Sequence, residues 1–167
     1  MISFRMLNRL KINLMAINNM RTHIHYLKKY IELGKEAMVN GNPPVGSVLV
    51  KNDTIIGIGK EAVRSSKDVT KHAEIEAIKS AVSNPKPLRD ITLYTIHETC
   101  IMCFYVIRYH HIKTVVFGTK SKYVGGSSSE FKILETEIVP NWSSPPKIIG
   151  GVLHEECELL SKLYTNR

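Results

Sequence analysis

Four side chains fall in two pairs that could hold and use a metal: His72 and Glu74, within Thr70-Lys71-His72-Ala73-Glu74, and Cys100 and Cys103. Each pair sits where a loop or strand runs into the start of an expected helix. Free backbone N–H groups and the helix dipole at such a point lower a thiol pKa and favour the thiolate that zinc needs. Two thiolates and one imidazole make three zinc ligands and leave a fourth position open. Structural zinc sites are closed by four protein ligands, whereas an open position belongs to catalysis, because zinc there activates a water. Glu74 lies close enough to His72 to reach that water without joining the metal, and it could pass the proton to a leaving amine.

Other uses of these residues explain less. A redox Cys-x-x-Cys would also follow a strand and open a helix, but it gives His72-Ala73-Glu74 no role. A structural zinc site would need Cys157 or His154 as a fourth ligand, brought in from across the domain. Three cysteines, an odd number with two of them three apart, argue against a disulfide framework. They fit a reducing compartment, and a cytoplasmic location is expected.

The elements around these pairs follow from periodicity. Ile24, Leu27, Ile31 and Met38 share one helical face over residues 23–40, and Gly41 ends that helix. Residues 45–50 and 54–58 read as a hairpin around Lys51-Asn52-Asp53, and 61–70 as a polar loop. Residues 72–82 predict a helix with Ile75, Ile78, Ala81 and Val82 inward, broken by Asn84-Pro85-Lys86-Pro87. A strand over 91–96, a helix over 100–109 and a buried strand over 112–118 follow, then a Gly/Ser-rich loop at 125–129. A short strand at 147–150 and a helix over 152–164, with apolar Leu159, Leu160 and Leu163, close the chain. A helix, a hairpin and then alternating helices and strands predict an α/β fold, a three-layer α/β/α sandwich with a mixed sheet.

Composition narrows the setting. At 167 residues with 43% hydrophobic content, the chain fits one globular domain. No apolar run approaches the roughly 20 residues of a membrane helix, so no membrane association is expected. The net charge of +8 suggests nucleic acid until it is located. Arg5, Arg9, Lys11 and Arg21 lie in an acid-free segment, and without them 19 basic and 15 acidic residues remain. Residues 1–22 therefore read as an N-terminal extension, disordered or loosely packed, with an organelle-targeting peptide as the alternative. Residues 23–167 form the expected domain.

The paired residues also carry a resemblance. His72-x-Glu74 followed by Cys100-x-x-Cys103 is similar to the His-x-Glu and Pro-Cys-x-x-Cys signature of zinc deaminases. Pro44 to Val50, Asp68 to Glu74, Leu93 to Cys103 and Val115 to Gly118 continue the match in register over roughly residues 24–120. The chain resembles the cytidine and deoxycytidylate deaminase superfamily, which also holds cytosine, guanine and bacterial tRNA adenosine deaminases. The resemblance implies a cytidine deaminase-like sheet of five strands, one Zn2+ per chain on His72, Cys100 and Cys103, Glu74 as proton shuttle, and a homodimer. It also makes Pro44, Val45, Glu61, Ala73, His97, Glu98 and Thr99 candidate substrate-binding residues, although His97 reads equally well as a strand end.

Three departures stand out. Thr99 replaces the Pro before the first Cys, Val69 replaces the Pro of the first motif, and Glu61 replaces an Asn that contacts substrate in relatives. An ionised Glu only accepts hydrogen bonds where Asn also donates, which implies a different substrate or orientation.

The expected activity is hydrolytic deamination of a small purine or cytosine-type base or nucleoside, releasing ammonia. A tRNA adenosine deaminase is the alternative, less favoured because Glu155, Glu156 and Glu158 would repel a phosphate backbone, although Lys113, Lys120, Lys122 and Lys132 offer contacts. A zinc-binding module without activity is the third reading. Trp142, Tyr123 and Phe131 could close over a base, or sit on ordinary surface turns, and His110 and His111 read as helix caps.

Overall fold

The computed structural model describes residues 23–82, 88–131, 134–140, 142 and 144–165. The N-terminal extension, the Asn84-to-Pro87 breaker and Lys132 lie outside them. Among the described residues, no helix is long and apolar enough to cross a membrane.

Helix α1 spans residues 23–39. It buries Tyr26, Leu27, Tyr30, Leu33 and Ala37, a wider stripe than the four predicted positions. Gly41 ends it at φ +78°, as expected for a left-handed cap. The Gly41 N–H donates to Met38 O and the Asn42 N–H to Ala37 O, which satisfies the last carbonyls.

Strands β1 (Gly46–Lys51) and β2 (Thr54–Lys60) pair antiparallel. Asn52 and Asp53 turn the hairpin with φ of 47° and 57°, the conformation a two-residue hairpin turn requires. β1 also pairs antiparallel with β3 (Thr92–His97), and β3 runs parallel to β4 (Thr114–Thr119), which runs parallel to β5 (Lys147–Gly150). The order is β2-β1-β3-β4-β5, the mixed five-stranded sheet that was expected.

Alternation along these strands makes two cores. Leu49, Leu93, Val115 and Phe117 face Ile75, Ile78, Phe104 and Ile107 of α3 (Ala73–Val82) and α4 (Ile101–Tyr109). Val48, Tyr94, Ile96 and Val116 face Leu27, Tyr30, Cys157 and Leu160 of α1 and α5 (His154–Thr165). Helices therefore cover both faces of the sheet.

Three expectations need correction. Residues 63–66, predicted as loop, form the short helix α2 (Val63–Ser66), closed by Lys67 in the left-handed region. Val82 turns outward, because the inner face of α3 runs through Ala77, Ile78 and Ala81 instead. Leu159 and Leu163 are 59% and 52% exposed, and α5 docks through Cys157 and Leu160. Cys157 thus lies against Tyr30, on the sheet face away from Cys103.

Candidate active site

Two close approaches set the position of the metal pocket. β2 presents Gly59 against the Ala73 carbonyl and Gly57 against the Ala77 carbonyl, where a Cβ atom would collide with backbone. The first turn of α3 therefore sits directly on the sheet, with His72 just ahead of it. From the other side, β3 delivers the chain to Cys100, which caps α4 from an extended conformation. Cys103 stands one turn on, fully buried.

His72 Nδ1 lies 3.6 Å from both Cys100 Sγ and Cys103 Sγ, and the two sulfurs are 3.8 Å apart. Zinc bonds of about 2.3 Å to sulfur and about 2.0–2.1 Å to nitrogen give tetrahedral edges of about 3.8 Å and about 3.5 Å. The trio matches those edges, so the donor set fits zinc with one corner open. Among the described residues it is the only His, Cys, Asp and Glu group with this spacing.

Its electrostatics suit a cation. The contact with the Cys103 sulfur, together with His72 and the Cys103 N–H, holds Cys100 down at about 4 against the effect of burial. The same contact between the two thiols and burial push Cys103 up. The hydrogen bond to Cys100, then the fields of Glu61, Cys100 and Glu74, lift His72 to about 9, although burial opposes them. The site holds protons that a divalent cation would displace.

Glu74 is buried beside the trio, and its Oε2 accepts from Cys103 Sγ at 3.5 Å. Burial raises its pKa, and the negative Cys100 adds to the effect. Its Oε1 accepts a 3.0 Å hydrogen bond from Thr95 Oγ1, which in turn accepts a 2.9 Å bond from Ser47 Oγ. Sequence reasoning missed Ser47 and Thr95, because each reads as an ordinary strand residue among valines and leucines.

Glu61 is buried at 6% exposure rather than solvent-facing. It accepts from the Ala73 N–H at 3.3 Å, between His72 and Glu74 in sequence, and also from the Val63 N–H. Burial lifts it to about 7, partly offset by His72. Ala73 is itself buried. Pro44 packs against Gly34 of α1, and Val45 O accepts the Glu61 N–H at 2.9 Å, which fixes where the β2 exit begins.

His97, Glu98 and Thr99 are held by contacts with later segments of the chain. His97 Nδ1 meets Thr119 Oγ1 at 2.8 Å and its Nε2 meets Ser161 Oγ at 3.1 Å, so both nitrogens tie β3 to β4 and α5. Burial lowers its pKa. Glu98 accepts from the Ser121, Ser127 and Ser128 N–H groups and from the Ser127 and Ser128 hydroxyls. Burial alone would raise Glu98, but these bonds, led by Ser128, leave it lowered. Thr99 is buried, its carbonyl accepts the Gly126 N–H, and its hydroxyl has no partner among the described residues. The loop after β4 is thereby moored to the metal strand, and Gly125 bridges directly to Cys100.

That loop carries exposed Lys120, Lys122 and Tyr123, with the Lys122 ammonium 5.0 Å over the Tyr123 ring. Lys113 stands at the other end of β4, paired with Asp90 at 2.8 Å. Trp142 packs edge-on to Tyr105 of α4 and beneath the Arg108 guanidinium. His110 caps α4 through its backbone N–H, as its place at a helix end suggested. A cavity of about 800 Å³ lies at the ends of β4 and β5, lined by His97, Lys120, Ser127 and His154 rather than by the metal trio.

Comparison with known proteins agrees with this geometry. Residues 20–119 match the family model for the cytidine and deoxycytidylate deaminase zinc-binding region. The tRNA-specific adenosine deaminase of Aquifex aeolicus is 36% identical over 84% of this chain and 92% of its own. The guanine deaminase of Bacillus subtilis, a solved structure, is 36% identical with a TM-score of 0.56, covering 59% of this chain and 64% of its own. A structure from a study of A-to-I editing by tRNA:A34 deaminases superposes with a TM-score of 0.75 over 82% of this chain and 99% of its own, at 24% identity.

Proposed function

Since the chain belongs to the cytidine and deoxycytidylate deaminase family, a family of hydrolytic zinc deaminases, we propose that it converts adenosine in transfer RNA to inosine. The observation that carries this reading is the Aquifex relative, a tRNA-specific adenosine deaminase matched over 92% of its length. It displaces the small-base preference drawn from the sequence. The objection from acidic α5 also weakens, because that helix packs on the opposite sheet face from α3 and α4. Exposed Lys120, Lys122 and Tyr123 stand on the loop moored beside Cys100, where a phosphate track and a stacking ring would serve a splayed strand.

His72, Cys100 and Cys103 would hold the zinc, which supplies an electrophilic centre that activates a water. Glu74 would take one proton from the attacking water on the oxygen facing the trio and give it to the ring nitrogen next to the amino-bearing carbon. It would then take the second proton from the hydroxyl left on that carbon and give it to the amino group, which departs as ammonia. Adenosine and water become inosine and ammonia. Glu61 reads the base or its ribose as an acceptor while it holds the Ala73 N–H. A homodimer, the assembly that the family resemblance implies, belongs to the same proposal.

Mass spectrometry of digested tRNA transcripts checks the reading, run beside ammonia release from free adenosine, guanine, cytosine and cytidine. Inosine in tRNA, at a kcat/KM well above that for any free base or nucleoside, is expected. Turnover of a free base with no inosine in tRNA would restore the small-molecule reading.

A further inference from the structure

Three buried polar residues from three elements join end to end across the metal-side core. Ser47 of β1 and Thr95 of β3 are register partners in the antiparallel pair, and both are fully buried. Ser47 Oγ donates to Thr95 Oγ1 at 2.9 Å, and Thr95 Oγ1 donates to Glu74 Oε1 at 3.0 Å. Their neighbours on this sheet face are Leu49 and Leu93, so two hydroxyls stand where apolar side chains would pack as well. Burying a hydroxyl is costly unless it is bonded, and strand pairing alone needs neither group.

The direction of the chain is fixed at its end. A hydroxyl has one proton, so Thr95, which donates to Glu74 Oε1, accepts from Ser47. Bonds aligned this way polarise one another and strengthen in a low-dielectric interior. They also treat the two carboxylate oxygens differently. Oε1 is tied to the sheet, while Oε2 is left 3.5 Å from Cys103 Sγ on the metal side.

We infer that Ser47 and Thr95 are positioning residues that lock the Glu74 carboxylate so that one chosen oxygen faces the metal corner and carries the proton. This rests on the reading of Glu74 as proton carrier. The consequence is an effect on turnover separate from fold and metal. A small misplacement of a catalytic group can cost about 10²-fold in rate.

The test compares Thr95→Val, Thr95→Ser, Ser47→Ala and the Ser47→Ala/Thr95→Val double variant in the zinc-loaded full chain. Zinc content, melting temperature, kcat and KM are read for each. Thr95→Val keeps the volume and removes the donor, so kcat should fall about 10- to 100-fold at nearly unchanged KM and zinc content. Thr95→Ser should restore most of kcat, and Ser47→Ala, which spares the bond to Glu74, should lose only a few-fold. The double variant pairs two apolar residues across the strands. It should recover the melting temperature lost in the single variants and leave kcat low. If kcat recovers together with melting temperature, or if Thr95→Val turns over like the wild type, the hydroxyls are merely structural. If the wild-type chain turns over normally but Glu74→Gln does as well, the failure lies with the reading of Glu74.

Discussion

Two carboxylates lie buried on either side of the turn that delivers Cys100, and they are held in opposite ways. Glu98, on the loop side, accepts five hydrogen bonds from Ser121, Ser127 and Ser128 and sits below its ordinary pKa. Glu74, on the metal side, receives a hydroxyl on one oxygen and a thiol contact on the other, and burial lifts it above its ordinary value. A saturated carboxylate has no capacity left to move a proton, so it serves as an anchor. A carboxylate with fewer donors, raised by burial, is poised to exchange. The pocket and the loop beside it thus divide chemistry from mooring, although both are built on buried glutamates.

The largest effect should come from the pocket. Glu74→Gln should retain zinc and fold while turnover drops by at least about 10²- to 10⁴-fold, the usual range for a lost acid–base group. Kinetics beside metal analysis checks this, and an active variant would erase the contrast. Glu98→Gln keeps one acceptor, enough for the Ser127 and Ser128 N–H groups that share Oε1, but strands the Ser121 N–H that donates to Oε2. Chemical denaturation should show a loss of about 1–3 kcal/mol, the cost of leaving buried polar groups unpaired.

The two glutamates also differ in what acid does to them. Because the folded-state pKa of Glu98 is depressed, its contribution is complete above the unfolded value of 4.5 and fades as pH falls through the lower folded value. The melting temperature of the wild type should drop on acidification below about pH 4.5, and the drop should be shallower in Glu98→Gln. Equal slopes would mean that another group supplies the acid sensitivity.

The smallest expected effect lies at the rim of the moored loop. Lys120→Glu with Lys122→Glu should weaken tRNA binding and flatten its salt dependence while leaving kcat nearly intact, because phosphate contacts act on affinity. Filter binding across a salt series measures it, and an unchanged slope would place the RNA elsewhere.

The metal pocket was legible in the sequence because its spacing is local. His72 and Glu74 share one helix start, Cys100 and Cys103 another, and helix starts are marked by local residues. A mixed sheet followed from the alternation of helices and strands, while its order, β2-β1-β3-β4-β5, came only with the structure. What stayed hidden depends on contacts between distant segments. Ser47 and Thr95 meet only once β1 and β3 pair, and nothing in either strand announces a carboxylate at the end of the chain of bonds. His97 and Glu98 adjoin Cys100 in sequence, yet their partners lie more than twenty residues on, at Thr119, Ser127 and Ser161. The exposed Leu159 and Leu163 misled for a related reason, since apolar spacing alone does not say which stripe of α5 meets the sheet.

Everything assigned to the pocket depends on three side chains holding one cation, so metal stoichiometry is the most direct test. Protein purified without chelators, assayed by inductively coupled plasma mass spectrometry beside Cys100→Ala and Cys103→Ala, should carry close to one zinc per chain in the wild type and little in either variant. A wild-type protein free of zinc, or variants that keep it in full, would contradict the account.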